Sequence, residues 1–175
     1  MERKLAHPVH RLVAYLIDQA VCVGLFIFLA SRVAVETDFY RLMDSSLGNI
    51  TIYMYFLALW PLLNALLISR LGGTVGKLLT GTRIEANGKN LSFLMAIFRN
   101  YIGYIVSGTI TFLGFFWILI DKNRQGWHDM MVDSVVTIRN KHLIWLGVGT
   151  LLLILYFDYV VASQIISDVL NLKLF

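Results

Sequence analysis

Asp121, Arg124, His128, Asp129 and Asp133 fall within thirteen residues of the stretch IDKNRQGWHDMMVDSVVTI, directly after a long apolar run. A histidine beside an aspartate begins many acid–base sites. No serine, cysteine or second histidine stands at a spacing that completes a triad or a zinc set, so catalysis is not expected here. The mixed signs suit a polar cap on a membrane helix. In such a cap Arg124 can grip a carboxylate with two parallel hydrogen bonds, and His128, with a reference pKa of about 6.5, can report pH on its side of the membrane. A loop of exposed salt bridges, each contributing little, is the competing reading.

Two further groups sit inside apolar runs. Asp18 lies about two turns into the first run, where an ionised carboxylate is costly unless paired, hydrated or protonated. Arg11, seven residues earlier, is on the same face and roughly 10 Å away along the axis. It can reach part of that distance or snorkel to headgroups, and Arg99, inside the third run, is the better-buried partner. Asp18 therefore reads equally as a cation or proton site and as half of a structural ion pair. In WPLLNALL, Pro61 frees a carbonyl and Asn64 stands three residues away on the same face. That combination offers oxygen ligands to a hard cation, although a packed kink with Asn64 hydrogen-bonded to a neighbouring helix is the commoner outcome. The glycine-rich LGGTVGKLLTGT fails the phosphate-loop pattern, since Leu78 follows Lys77 and no strand precedes it. Cys22, the single cysteine, excludes a disulfide framework.

The elements that must hold these residues are membrane helices. Hydrophobic residues make up 58% of the 175, charged residues 15%, and mean hydropathy is +0.70. Four runs, at 12–35, 50–71, 93–120 and 143–162, match or exceed the roughly 20 residues that cross a bilayer. The first holds Asp18 and lacks a small-x-small cleavage site, so it is expected to be a span and not a signal peptide. Arg3, Lys4 and Arg11 place the N-terminus in the cytoplasm, whereas Glu36, Asp38 and Asp44 outnumber Arg32 and Arg41 in the first loop. The net charge of +4 is spread over loops flanking spans, which points to anionic lipid and not to nucleic acid.

A single crossing by 93–120 puts Lys122, Arg124, Arg139 and Lys141 on the outside, against the positive-inside rule. GTRIEANGKNLSF carries Asn87-Gly88, a hairpin signal, and DSVVTIR is β-prone. The two can pair only on one side of the membrane. Both facts are met when the third run enters and returns as helices near 92–107 and 110–121, broken near Gly108. The expected fold is thus an all-α membrane protein, a polytopic helical bundle with a re-entrant helical hairpin and a small cytoplasmic β-element. A membrane domain over 1–140 is followed by an additional C-terminal transmembrane helix and short tail over 141–175.

HRLVAYLID, GGTVGKLLTGTRIEANGKNLSF and LIDKNRQGWHDMMVDSVVTIR, in that order, resemble the RDD family of membrane proteins, named for one arginine and two aspartates. The arginine matches Arg11 and the first aspartate Asp18; the second corresponds to Asp121 or Asp129. Trp127 and the VDS triplet depart mildly from the family pattern, and the last run lies beyond its core. The family is largely of unknown function. Some members are associated with sodium or potassium for proton exchange, others with partner roles in membrane complexes.

Two functions follow as expectations. One is a monovalent cation/proton antiporter of the cell (inner) membrane, using an intramembrane carboxylate among Arg11, Asp18, Asn64, Arg99, Asp121, Arg124, His128 and Asp129. The other is a non-catalytic scaffold or regulatory subunit of a membrane complex. Neither is an enzyme or requires a cofactor. The expected partners are the lipid bilayer, monovalent cations and protons, and a second copy or a membrane-complex subunit.

Overall fold

The computed structural model describes residues 4–36, 46–109 and 113–172. Within them, three helices are long and apolar enough to cross a membrane: Pro8–Leu29, Gly48–Leu71 and Leu143–Gln164. Asp38, Arg41 and Asp44, which carry the expected charge asymmetry of the first loop, lie outside the described residues.

Helix α1 (Pro8–Glu36) starts on a proline, whose missing N–H falls where a helix has no acceptor for it. The second span is interrupted. Helix α2 (Ser46–Met54) leads into a π-helical turn (Tyr55–Leu59) and then α3 (Trp60–Leu71). Pro61 supplies no N–H to the ladder, and the Trp60 N–H reaches back five residues to the Tyr55 carbonyl. The Tyr55 hydroxyl donates to the Cys22 carbonyl at 3.0 Å, tying the first two spans together.

The chain leaves α3 through Gly72, at φ 82°, and forms the short α4 (Val75–Leu79), capped by the Thr74 hydroxyl. Strand β1 (Thr82–Glu85) follows and pairs antiparallel with β2 (Val135–Ile138), Thr82 opposite Ile138 and Glu85 opposite Val135. Asn87 and Gly88 do turn with positive φ, 51° and 79°. The return arm, however, makes one bridge, Ala86 to Lys89, and no strand. Its place on that edge of β1 is taken by Gly72, whose carbonyl accepts the Ile84 N–H at 2.7 Å. By residue 92 the chain is already a helix cap, the Ser92 hydroxyl accepting the Met95 N–H at 3.3 Å. Relief for the short sheet comes instead from the N-terminus. Ala6 N–H donates to the Val136 carbonyl and Ile138 N–H to the Lys4 carbonyl, so Leu5 bridges Thr137 on the other edge of β2. Ala6, Ile84 and Val136 pack beneath this sheet against Ala65 and Ile68 of α3 and Ala96.

The third apolar run breaks into α5 (Phe93–Phe98), a π-helical turn (Arg99–Gly103) and α6 (Tyr104–Thr109), then α7 (Leu113–Phe116) and a 3-10 turn (Trp117–Leu119). Helix continues through Gly108 to Thr109, so the expected break near Gly108 does not occur there; residues 110–112 lie outside the described residues. Helix α6 packs against α7 so closely that a Cβ on Gly114 would stand 2.5 Å from the Ser107 Cα. The run leaves from the end of β1 and comes back through α8 (Trp127–Met130) to β2. Helix α9 (Leu143–Leu172) lies along α1, with the Asp158 carboxyl seated over Gly24 and Gly147 against Thr80 and Ile17. Small residues at such crossings let backbones approach.

Candidate functional site

The charged residues gather where α1, α5–α6 and the loop before β2 meet. Asp129 stands in the first turn of α8 and is wholly buried. One carboxylate oxygen, Oδ1, accepts from Arg99 Nε at 3.0 Å and Nη2 at 2.6 Å. The other, Oδ2, accepts from Arg11 Nη2 and from the Gly126 N–H at 3.2 Å. Arg11 uses its second arm on the Arg124 carbonyl. Arg99, 1% exposed, also stacks its guanidinium over the Tyr104 ring at 5.8 Å. Its Nη1 has no hydrogen-bond partner among the described residues.

Burial opposes the charge on Asp129, but the neighbouring His128, Arg99 and Arg11 hold its carboxyl well below the usual carboxylate range. Since His128 is neutral, the two arginines supply that field. Burial pushes the imidazole down from 6.5 to about 3; Asp129 pulls the other way, and Arg99, Arg11 and Lys77 add to the lowering. The ring is packed between Tyr104 and Phe115 at 5.1 and 5.2 Å. Ser107 sets its tautomer: the hydroxyl oxygen accepts the His128 backbone N–H at 3.1 Å and the same group lies 3.2 Å from Nδ1. A hydroxyl that donates to Nδ1 leaves the proton on Nε2, which faces Asp129 at 3.5 Å. The space for the ring depends on Gly103 and Gly126, where a Cβ would stand 2.8 and 2.6 Å from His128 atoms. His128 is therefore a packed neutral group and not the reporter of near-neutral pH that its residue type suggests.

Asp18 is separate. Its carboxylate accepts the Thr74 hydroxyl at 2.5 Å and the Gly76 N–H at 2.8 Å, at the N-terminus of α4. It has no salt bridge among the described residues and does not pair with Arg11 or Arg99. The buried Lys77 acts electrostatically on both Asp18 and His128, so the two centres share one field.

The remaining candidates play supporting parts. Asp121 accepts the N–H groups of Asn123 and Gln125 at 2.8 and 3.0 Å, which folds the loop. Arg124, at φ 53°, contributes its carbonyl, and its guanidinium forms no ion pair among the described residues. Near Pro61 the third run docks on backbone carbonyls, though not on that of Leu57, which the proline frees: Tyr101 OH donates to the Ala58 carbonyl at 3.0 Å and Asn100 Nδ2 to that of Pro61 at 3.4 Å. Asn64 is buried nearby, its Oδ1 without a partner among the described residues. No group of three His, Cys, Asp or Glu is placed to hold a metal among the described residues.

Sequence reasoning missed Ser107, Thr74 and Gly76, and also Ser134, whose hydroxyl donates to Asp129 Oδ1 at 3.4 Å. Gly76 lay in view inside the quoted glycine-rich stretch, but its role depends on Ala14, whose carbonyl oxygen a Cβ there would approach to 2.0 Å. No curated protein and no solved structure matches the chain. The model of the RDD family matches residues 5–133, a stretch containing both Arg11 and Asp18 and, as the carboxylate that Arg11 grips, Asp129. The chain belongs to the RDD family, a family of integral membrane proteins, and is a polytopic member with buried charged residues.

Proposed function

We propose that the protein is a non-catalytic scaffold or regulatory subunit of a membrane complex. One observation carries this reading: the buried charges of α1 each fasten a segment on the sheet side. Arg11 clasps the loop before β2 through Asp129 and the Arg124 carbonyl. Asp18 clasps α4 through Thr74 and Gly76. A carboxylate between two guanidiniums neither takes up a proton near neutrality nor admits a cation beside them. The third run is a re-entrant hairpin, since it begins and ends at the β1–β2 pair, and the N-terminus and sheet lie on the cytoplasmic side of the cell membrane by the lysine and arginine balance. The partner is a second copy or another subunit, docking on the β-element and cap.

A second reading, cation/proton exchange, is favoured by Asp18 alone. It is buried within a span and hydrogen-bonded only to the Thr74 hydroxyl and the Gly76 N–H, a setting in which a carboxylate can exchange proton for cation, although the field of the nearby Lys77 opposes a second cation. Liposomes with an internal pH dye separate the two. The scaffold reading expects no sodium-, potassium- or lithium-dependent dissipation of a pH gradient. Cation-dependent dissipation by the wild type that is lost in a folded Asp18→Asn variant would replace it with exchange. A scaffold should also be cross-linked in native membranes to a partner that Gly88→Val, which strains the turn at φ 79°, displaces.

A further inference from the structure

The ends of two spans and the edge of the sheet enclose a hollow of about 230 Å³ that none of the clasps uses. Its apolar wall is Leu71, the last residue of the second span, with Leu143, the first of the third, and Leu78 of α4. Its polar wall is Arg83 and Arg139. Because both span ends border it, the hollow sits where hydrocarbon gives way to headgroups.

Two guanidiniums there face one carboxylate. Arg139 Nη2 donates to Glu85 Oε1 at 3.0 Å, while Arg83 Nε is 4.0 Å from the same oxygen. Arg83 also gives Nε and Nη2 to Asn90 Oδ1. The other N–H groups of both guanidiniums, Nη1 of Arg83 and Nε and Nη1 of Arg139, have no hydrogen-bond partner among the described residues. One positive charge is left over beside a leucine-lined notch. A lipid phosphate with its glycerol satisfies both walls: the phosphate accepts from the arginine forks and the acyl chains run down along Leu71 and Leu143.

We propose that this hollow binds the phosphate headgroup of an anionic phospholipid of the sheet-side leaflet. The full-length protein is reconstituted in nanodiscs of equal phosphatidylglycerol and phosphatidylcholine, extracted gently, and its retained lipids are measured by mass spectrometry. Wild type retains phosphatidylglycerol in excess. Arg139→Gln, at a side chain 61% exposed, lowers that enrichment about five-fold, the worth of one arginine near a charged leaflet. Arg139→Lys keeps most of it, and Lys89→Gln, outside the hollow, leaves it unchanged. Excess inorganic phosphate does not displace the lipid. The proposal falls if wild type shows no enrichment, if Arg139→Gln matches wild type, or if Lys89→Gln lowers it equally, which would mean diffuse surface charge. It also falls if inorganic phosphate abolishes the enrichment, which would mean a site for the free ion.

Discussion

Replacing Asp129 by asparagine removes one charge and leaves two guanidiniums buried without it. Arg99 is 1% exposed and Arg11 8%, so neither is placed to recover hydration without local unfolding. Asparagine still offers one oxygen, enough for one of the two arginines, and its amide hydrogens point at donors. Breaking a buried ion pair by removing one partner costs about 3–5 kcal/mol. At about 2–4 °C per kcal/mol for chains of this size, Tm should fall on the order of 10 °C. Detergent-solubilised protein is heated in aliquots and the surviving monodisperse peak followed by fluorescence-detected size exclusion. The triple variant Arg11→Met, Arg99→Met, Asp129→Leu sharpens the test, because exchanging a whole buried charge group for apolar residues is often neutral. It should be closer to wild type than Asp129→Asn alone. An Asp129→Asn protein that melts with wild type, or a triple variant that is worse than the single one, would refute the account of Asp129 as the counter-charge that keeps two cations buried.

His128 folds neutral at about 3 against 6.5 in the unfolded chain, so the unfolded state alone takes up a proton in between. Stability is therefore full above about pH 6.5 and declines by up to about 1.4 kcal/mol per pH unit as pH falls toward 4; melting followed against pH should give a flatter profile for His128→Gln, and an unchanged slope would show that His128 is not the group responsible. Asp129, with a depressed pKa, adds its own loss only below the ordinary carboxylate range. Gly76→Ala places a methyl against the Ala14 backbone and should cost about 1–3 kcal/mol by overpacking, seen as a lower Tm, whereas Gly149→Ala, with nothing within 4 Å, should not. Equal melting of the two would remove the close α1–α4 contact.

Elements that advertise themselves locally were legible in the sequence. The three spans follow from run length, the Asn87-Gly88 turn from its dipeptide, and β2, the partner of β1, from its β-prone stretch. Partners were not legible, since Arg11 and Asp129 are 118 residues apart and nothing local distinguishes Asp129 from Asp121 as the acceptor. Arg99 looked like the mate of Asp18 because both lay in apolar runs; only the packing of α5–α6 against α8 turns it to Asp129. The bridge from Leu5 to Thr137 leaves no mark in the sequence, because 4–6 is too short for any periodicity. The reference pKa of His128 misleads, because it depends on a solvation that Tyr104, Phe115 and the close approach of Gly103 and Gly126 remove.

Ala6 and Arg11 both find their mates far along the chain, in Val136 and Asp129. On a ribosome adding roughly 5–20 residues per second, the 118 residues between Arg11 and Asp129 take about 6–24 s to appear. During that interval the first helix is in place with its arginine unanswered and β1 lacks its partner β2. Closure of the cap is thus a late event in biogenesis, and a chain cut short before α8 carries an uncompensated cation at the membrane surface, a ready mark for proteolytic removal of incomplete copies.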